Sequence, residues 1–352
     1  MLKEEIYQHA GSMQQIAYVR EVEYLQGRAT GLRAFQVKNG QMTYSVMQDK
    51  CLDISELTYR GINMTFLSKP GLNGRNSYDT HGAEAQRSIM GGLFFTCGFE
   101  NICAPYSKES CEYPMHGRMR TTPAEHAGAD AYWKDDQYHI EIRGEMREAE
   151  LFGENLQLRR SISTVLGTPR IIVKDEIENQ GFQSMPMMLM YHCNFGFPFL
   201  TRDAKMIFPS REITPRDEIS EKGVQCWNTM GSPKTGAVEE VFIHDLAADL
   251  QGNTVVGIVN EGLEMGLCIR FNKKQLPYFM QWKSTASGDY VVGLEPSNSL
   301  VYGRRYHEER GDLCMIAPQE TFAVELVFEI LDGKEKIQEL ERECMQLRES
   351  NR

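Results

Sequence analysis

The stretch Tyr290-Val291-Val292-Gly293-Leu294-Glu295-Pro296-Ser297-Asn298 predicts a buried β-strand that ends in a carboxylate. Its first five residues form a short apolar run, and Pro296 cannot continue a strand ladder because it has no N–H. Pro296 also favours extended backbone in the residue before it, so Glu295 is expected to be held at the end of a stiff element. An isolated Glu-Pro is more often a solvent-exposed strand end, and the interpretation therefore depends on the rest of the chain.

A second stretch, Leu189-Met190-Tyr191-His192-Cys193-Asn194-Phe195-Gly196-Phe197-Pro198, places a histidine and an asparagine among aromatic and apolar neighbours. It is also closed by a proline. His192 supplies an acid where Glu295 supplies a base, so the two stretches together indicate acid–base chemistry.

Composition favours a small-molecule partner. The 352 residues carry a formal charge of −11, the pI is about 5.4, and no Lys/Arg run is present, which argues against nucleic acid. The nine cysteines are scattered without a Cys-x-x-Cys pair, so neither a disulfide framework nor a zinc knuckle is indicated. With no signal pattern at the N-terminus and no apolar run of about 18 residues, we expect a soluble, cytoplasmic protein without a membrane partner.

Most of the chain consists of short β-type runs separated by Gly, Pro, Asn and Asp, with Asn39-Gly40 marking a hairpin turn. No regular βα alternation occurs, which predicts packed antiparallel sheets in a mainly β sandwich. Residues 1–352 show no repeat or linker and are expected to form one domain with its core at about 20–330. The predicted strand runs are Ala34–Val37, Met42–Val46, Tyr138–Arg143, Gln157–Val165, Arg170–Ile177, Met185–Tyr191, Val255–Val259, Leu267–Phe271, Tyr278–Trp282 and Phe322–Ile330.

The C-terminal residues 333–349 predict an amphipathic surface helix. Its apolar stripe is expected at Ile337, Leu340, Met345 and Leu347. A helix packed on its own domain is the commoner outcome, and a contact in a homodimer is the alternative.

Residues 81–126 have a loop-like, polar and aromatic composition, and a long irregular region in a compact domain is usually functional. Within it, His116-Gly117-Arg118 is suited to a ligand rich in oxygens. The glycine would let the ligand approach the backbone, and the neighbouring groups are hydrogen-bond donors.

The order of three motifs resembles the aldose 1-epimerase (galactose mutarotase-like) superfamily. The motifs are His116-Gly117-Arg118, then Tyr191-His192-x-Asn194-Phe195, then Gly293-Leu294-Glu295-Pro296-x-Asn298. In detail they are closest to an uncharacterised bacterial branch of that superfamily, a family known only as a domain of unknown function. The resemblance covers residues 20–330 and implies a large twisted antiparallel β-sandwich.

The resemblance also implies roles for individual residues. Glu295 matches the general base of the family, His192 the general acid, and His116 a histidine that binds the sugar and polarises its ring oxygen. Two features of mutarotases proper are missing. Their early Asn-Arg pair has only Arg87 as a stand-in, and the nearest candidate for their mid-chain Asp is His244-Asp245.

Interconversion of α and β anomers needs a proton to leave the anomeric hydroxyl and another to reach the ring oxygen. A carboxylate and an imidazolium on opposite sides of one sugar can do this, and no metal or organic cofactor is demanded. The motifs offer one Glu and two His rather than the paired acids of a glycosidase. A metal site from His116, His192, His244 and Glu295 stays open as an alternative, although no short His-x-His spacing occurs.

The remaining substrate-binding candidates each have a structural alternative. Asn194 and Asn298 fit hydroxyl groups or turn chemistry, and Arg118 fits the oxygen-rich ligand. Gln281 and Lys283 share one strand face, opposite Trp282, and bind sugar only if that face looks into the cleft. Arg304 fits either an anionic group of the substrate or an ion pair with Glu308 or Glu309.

The sequence therefore predicts a carbohydrate epimerase without a cofactor, acting on anomers of a free sugar. The alternatives are a non-catalytic carbohydrate-binding or sensing protein and a metal-assisted sugar isomerase. The prediction requires Glu295, His192 and His116 to converge on one concave face, although up to 179 positions separate them (295 − 116).

Overall fold

The computed structural model describes residues 3–74 and 82–349. Its helices are α1 (Lys3–His9), α2 (Glu218–Gly223), α3 (Gly303–Arg310) and α4 (Lys334–Glu349). The first strands in chain order are β1 (Ala17–Glu23), β2 (Arg33–Asn39), β3 (Met42–Met47), β4 (Asp53–Tyr59), β5 (Ile62–Asn63), β6 (Phe66–Leu67), β7 (Gly91–Gly92), β8 (Phe94–Phe99), β9 (Tyr106–Lys108), β10 (Cys111–Tyr113), β11 (Glu125–Lys134), β12 (Gln137–Ala149) and β13 (Asn155–Val165). They are followed by β14 (Arg170–Asn179), β15 (Met185–Pro186), β16 (Met188–Phe195), β17 (Ala204–Ile207), β18 (Ser210–Pro215), β19 (Glu240–Leu246), β20 (Asn253–Asn260), β21 (Met265–Asn272), β22 (Tyr278–Ala286), β23 (Asp289–Ser297), β24 (Met315–Ile316) and β25 (Thr321–Asp332).

Two large antiparallel sheets make up the architecture. The first runs β1-β2-β3-β4-β8-β16-β23-β22-β19-β18, with β5 beside β4, and the second runs β11-β12-β13-β14-β25-β21-β20-β17. Alternate residues of each strand point to the same side of its sheet. The apolar residues on the facing sides of the two sheets pack together as the core. The predicted mainly β sandwich of antiparallel sheets is confirmed.

The predicted strand runs fall on observed strands, with one division: Met185–Tyr191 spans the short β15 and the start of β16. The predicted strand end at Glu295 is wrong, because β23 continues through Pro296 to Ser297, and Pro296 lies opposite Phe279 of β22. A proline removes one donor from the ladder but keeps extended backbone and a carbonyl acceptor. The hairpin at Asn39-Gly40 is present, since Asn39 pairs with Met42 across a two-residue turn.

The expectation of an irregular region at 81–126 is wrong for residues 94–99, and residue 81 lies outside the described part. Phe94–Phe99 forms β8, which is buried along its whole length between β4 and β16. A strand buried on both faces shows no alternation of polar and apolar residues, and the glycines at 91, 92 and 98 gave this stretch the appearance of a loop.

A buried charged cluster joins the two sheets beneath the strands that carry His192 and Phe95. Arg160 of β13 donates to both oxygens of Asp175, at 2.8 and 2.6 Å, and to Asp53 Oδ1 of β4 at 2.8 Å. Tyr191 of β16 donates to Asp175 Oδ2 at 2.6 Å. Because Arg160 and both aspartates have fully buried side chains, each charge depends on these partners.

The predicted C-terminal helix is α4, which packs on the second sheet through Ile337, Leu340 and Cys344. Met345 was expected in the apolar stripe but is 59% exposed. The stripe follows the spacing 337, 340, 344 and 347, and Met345 lies one residue off it. No helix among residues 3–74 and 82–349 is long and apolar enough to span a membrane.

Candidate active site

A cleft of about 620 Å³ opens on the outer face of the first sheet. His116, His192 and Glu295 all line it, so the predicted convergence of these three residues is observed. The cleft is also lined by aromatic and apolar side chains from strands and loops, namely Phe66, Ile89, Phe95, Met115, Val241, Trp282, Val301 and Tyr302.

Neighbouring strands bring His192 and Glu295 into contact. In the β16–β23 ladder Met190 faces Ser297 and Cys193 faces Leu294, so His192 and Glu295 lie opposite each other between these pairs. Their side chains share the cleft face, and His192 Nε2 lies 3.2 Å from Glu295 Oε1. The expectation of an acid and a base on opposite sides of one sugar is therefore corrected: the two groups are adjacent on one wall.

Gly293 makes this contact possible. A Cβ atom at this position would lie 2.8 Å from Glu295 Oε1 and 3.3 Å from His192 Cε1. A larger residue would therefore push apart the two groups that the ladder brings together.

His116 reaches the cleft from a loop in which its backbone has a φ of +59°. Its Nδ1 accepts the backbone N–H of Cys103 at 3.3 Å, which puts the ring proton on Nε2. The ring centroid lies 5.5 Å from that of His192, in an edge-to-face arrangement. His116 is thus a hydrogen-bond donor next to the pair.

The expected function of Gly117, close approach of a ligand, is corrected. A Cβ atom at Gly117, whose φ is +69°, would lie 2.2 Å from the carbonyl oxygen of Gly98. The glycine is needed because the backbone of Gly98 packs against it, and this packing fixes the loop that carries His116.

Burial drives the two central groups toward their neutral forms. Desolvation lowers the pKa of His192 to about 4 and raises that of Glu295 to about 8, where the charge of Glu239 adds to the increase and Arg216 opposes it. His192 Nδ1 and Glu295 Oε1 are buried without a hydrogen-bond partner. Near neutral pH the pair therefore holds one proton, and these two atoms are free to form hydrogen bonds with a ligand.

Three further polar residues of the cleft were missed by the sequence-based prediction of the site. Trp282 donates its Nε1–H to Glu239 Oε2 at 2.7 Å, and Arg216 donates to Glu239 Oε1 at 3.2 Å from both Nη atoms. Trp282 lies opposite Gly293 in the β22–β23 ladder and so shares the face of Glu295. The alternation at 281–283 was the available signal for Trp282. Arg216 and Glu239 lie outside every motif.

Gln281, Lys283 and His244 point away from the cleft. Gln281 donates to the carbonyl oxygen of Trp227 at 2.8 Å and its Oε1 lies 3.2 Å from His244 Nε2. Lys283 donates to the carbonyl oxygen of Cys226 at 2.9 Å. Because successive residues of β22 alternate, placing Trp282 in the cleft puts its two neighbours on the inner face, and no substrate contact is proposed for these three residues.

The predicted arginines and Asn298 do not line the cleft either. Arg87 is exposed and pairs with Glu84, Arg118 pairs with Glu100, and Asn298 hydrogen-bonds the backbone of Met187 and Leu189. Arg304 follows its structural alternative, an ion pair with Glu308 at 2.7 Å.

Asn194 lines the cleft, and its side chain donates to the carbonyl oxygen of His192 at 2.6 Å. Its amide N–H is thus engaged by the backbone of the same strand, β16, that carries His192.

The metal-site alternative combined two or three of His116, His192 and His244 with Glu295, and the first two of these histidines share the cleft with Glu295. His244 lies on the inner face, where it is packed among Phe208, Trp227 and Phe279. Within the described ranges, no three His, Cys, Asp or Glu side chains are arranged to hold one metal ion.

Solved structures share this fold. A candidate aldose 1-epimerase from Klebsiella pneumoniae matches with a TM-score of 0.90 and 21% identity, over 95% of this chain and 88% of that one. A galactose mutarotase-like protein from Clostridium acetobutylicum gives a TM-score of 0.65 and 12% identity, over 90% and 99%. Galactose 1-epimerase from Lactobacillus acidophilus NCFM gives 0.57 and 12%, also over 90% and 99%.

These similarities define the class of protein as one with a galactose mutarotase-like β-sandwich. The family model described as "Domain of unknown function (DUF4432)" matches residues 29–330, and the chain belongs to this family. The predicted fold and the predicted family of unknown function are thus confirmed. No curated protein matches the chain by sequence.

Proposed function

We propose that the protein is a carbohydrate epimerase that interconverts the anomers of a free sugar in the cleft between His116 and the Glu295–His192 pair. The observation that carries this proposal is the 3.2 Å contact of His192 Nε2 and Glu295 Oε1 within a cleft large enough for a sugar. The aromatic lining supports it, because aromatic rings provide apolar faces for the C–H groups of a sugar.

The reaction requires one acid and one base, which a pair holding a single proton provides. One member takes the proton of the anomeric hydroxyl while the other gives a proton to the ring oxygen, and the bond between C1 and that oxygen breaks. Rotation about C1–C2 lets the ring oxygen add to the other face of C1. The two proton transfers then reverse, so the pair ends as it began.

The direction of the first transfer follows from which member carries the proton. The motif resemblance assigns the base to Glu295 and the acid to His192, which needs the proton on His192. Burial favours the proton on Glu295. The two groups lie 3.2 Å apart in one cleft, and either direction of transfer uses the same one-proton pair.

His116 has a supporting role in this proposal. Burial and the neighbouring His192 hold the pKa of His116 well below its usual value, so it stays neutral and offers its Nε2–H. A neutral donor can hold a sugar oxygen without competing for the exchanging protons.

The test is NMR saturation transfer between the α and β anomers of a panel of free aldoses. We expect faster exchange than in buffer for at least one sugar. The matched control is Glu325→Gln, a half-exposed carboxylate on the second sheet that pairs with Lys174, and it should exchange like the wild type. A folded protein that binds a sugar but accelerates no exchange would instead establish a non-catalytic binding protein.

A further inference from the structure

Three residues of the cleft wall form a hydrogen-bonded cluster, Arg216–Glu239–Trp282, that the proposed reaction does not use. Glu239 is its centre: it accepts from Trp282 Nε1 at 2.7 Å and from Arg216 at 3.2 Å. Arg216 is held in turn by Asp217 Oδ2 at 2.8 Å. Both oxygens of Glu239 are therefore occupied by donors, which fixes the position of its charge.

Trp282 connects this cluster to the pair. Its ring centroid lies 5.4 Å from that of His192, edge to face, and it lies opposite Gly293 in the ladder next to Glu295. A Cβ atom at Gly293 would lie 3.2 Å from Trp282 Cβ and 2.8 Å from Glu295 Oε1, so both side chains crowd the same point. The indole holds Glu239 at a fixed place relative to the pair.

Titratable groups face Glu295 from every element around it. They are His192 from β16, His116 from its loop, Arg216 and Glu239 from the segments flanking α2 and β19, the Lys69–Asp289 ion pair, and Tyr302. The thiols of Cys97 and Cys103 lie near it on the same side, and Cys193 lies behind it on the inner face of β16. Burial keeps both histidines neutral by lowering their pKa values, and keeps the thiols neutral by raising theirs. Apart from the Lys69–Asp289 ion pair, the charged groups of this set are Arg216 and Glu239.

We infer that Glu239 and Arg216 are positioning residues that control, in opposite directions, how firmly the Glu295–His192 pair keeps its proton. The negative charge of Glu239 disfavours a second negative charge on Glu295, while the positive charge of Arg216 favours it. Since Glu239 is 44% exposed and Arg216 28%, solvent weakens each effect, and their balance sets the upper pH limit of the one-proton form.

The consequence for catalysis rests on the proposed function, but the proton affinity itself can be measured without a substrate. Glu295 is followed by ¹³C NMR in protein labelled at the side-chain carboxyl carbon of glutamate, with its signal assigned by its loss in Glu295→Gln. In Glu239→Gln we expect the midpoint of the titration to fall by about half a pH unit or more. In Arg216→Gln we expect it to rise by a similar amount.

The matched control is Asp289→Asn, which removes a half-exposed negative charge that lines the same cleft and pairs with Lys69 at 2.5 Å. It should leave the Glu295 midpoint unchanged. Trp282→Phe keeps an aromatic ring but removes the N–H that holds Glu239. It should lower the Glu295 midpoint by less than Glu239→Gln does.

Opposite shifts in Glu239→Gln and Arg216→Gln cannot come from general loosening of the fold, which would move both the same way. Equal shifts in all variants, or no shift in Glu239→Gln, would overturn the inference. If the midpoints move as expected while no sugar is turned over, the inference stands and the proposed function fails. If anomers exchange but the alkaline limb of the rate profile is the same in Glu239→Gln, the inference fails alone.

Discussion

Glu295 and His192 are the residues on which the chemistry depends, and their unusual state comes from burial next to each other. Glu295 is 3% exposed and His192 8%, and Glu295 has no hydrogen bond to compensate a charge on Oε1. A buried carboxyl group without donors is most stable with its proton on. The pair therefore holds one proton that it can exchange with a ligand. Ionisation of either group alone would lower the stability of the fold.

The first prediction concerns the loss of either group. Glu295→Gln keeps the shape of the side chain but removes the proton acceptor and donor, so exchange between anomers should fall by about 10²–10⁴-fold with sugar binding largely kept. His192→Asn should cost a similar factor, and the double variant should lose much less than the product because each group needs the other. The measurement is saturation transfer with binding followed by calorimetry. Losses that multiply independently would show that the two groups do not act as a pair.

The second prediction concerns stability. The pKa of Glu295 is raised from 4.5 to about 8 on folding, so between these values the native chain keeps a proton that the unfolded chain releases. The free energy of unfolding contributed by this group therefore falls as pH rises through this window and is lost above about 8. Glutamine does not ionise, so the stability of Glu295→Gln does not fall in this way as pH rises. At pH 9 this variant should be more stable than the wild type, by an amount on the order of a few kcal/mol.

Urea unfolding at pH 5 and pH 9 measures this difference, with Glu325→Gln as the exposed control. The advantage of Glu295→Gln should grow from pH 5 to pH 9, whereas Glu325→Gln should follow the wild type at both. An advantage that is the same at both pH values would mean that Glu295 is not protonated by burial.

At the scale of strands, the Arg160 cluster determines whether β8 and β16 present their cleft residues correctly. Arg160 Nη2 also donates to Thr96 Oγ1 at 2.9 Å, and Thr96 lies opposite Tyr191 in the ladder, next to Phe95 and His192. The strands of the cleft are thus anchored from below by charges on the second sheet.

The third prediction tests this anchor. Arg160→Met leaves Asp53 and Asp175 buried without their cation, and the expected loss of unfolding free energy is about 3–5 kcal/mol. The matched control is Arg159→Met on the opposite strand face, where the guanidinium is 44% exposed and pairs with Glu178 at 2.9 Å, with an expected loss of about 1 kcal/mol or less. Chemical denaturation compares the two variants. Equal losses would mean that the buried cluster adds nothing beyond a surface ion pair.

The sequence predicted the positions of the strands better than it predicted which side chains of a strand face the cleft. Strands such as Gln157–Val165 were predictable because alternation and β-branched residues identify them locally. The face of β22 depends on its register with β23, which places Trp282 opposite Gly293, and register is a property of two strands that are set against each other by the whole sheet. This is why Gln281 and Lys283 were expected in the cleft while Trp282 was not.

At the scale of the molecule, motifs predicted the centre of the site and missed its wall. His116, His192 and Glu295 belong to recognisable stretches, so their convergence could be expected. Glu239 and Arg216 come from loops around α2 whose sequence carries no motif, and they reach the cleft only because β19 pairs with β22 beside the pair. Residues positioned by topology rather than by local pattern leave no signal in one sequence.

The last prediction concerns the pH dependence of anomer exchange, which follows from the burial of Glu295 and His192 in the cleft of the first sheet. Below about pH 4 His192 takes up a second proton, and above about pH 8 Glu295 loses the first, so only between these values does the pair hold one proton. Exchange between anomers, corrected for the buffer rate, should follow a bell-shaped curve with limbs near these two values. A glutamate and a histidine with their reference pKa values would place the limbs at about 4.3 and about 6.5 instead. The rate profile from pH 3.5 to 9.5 separates the two cases by its alkaline limb: a fall centred near 6.5 would mean that His192 works as a normally titrating imidazolium and that burial does not set the proton count.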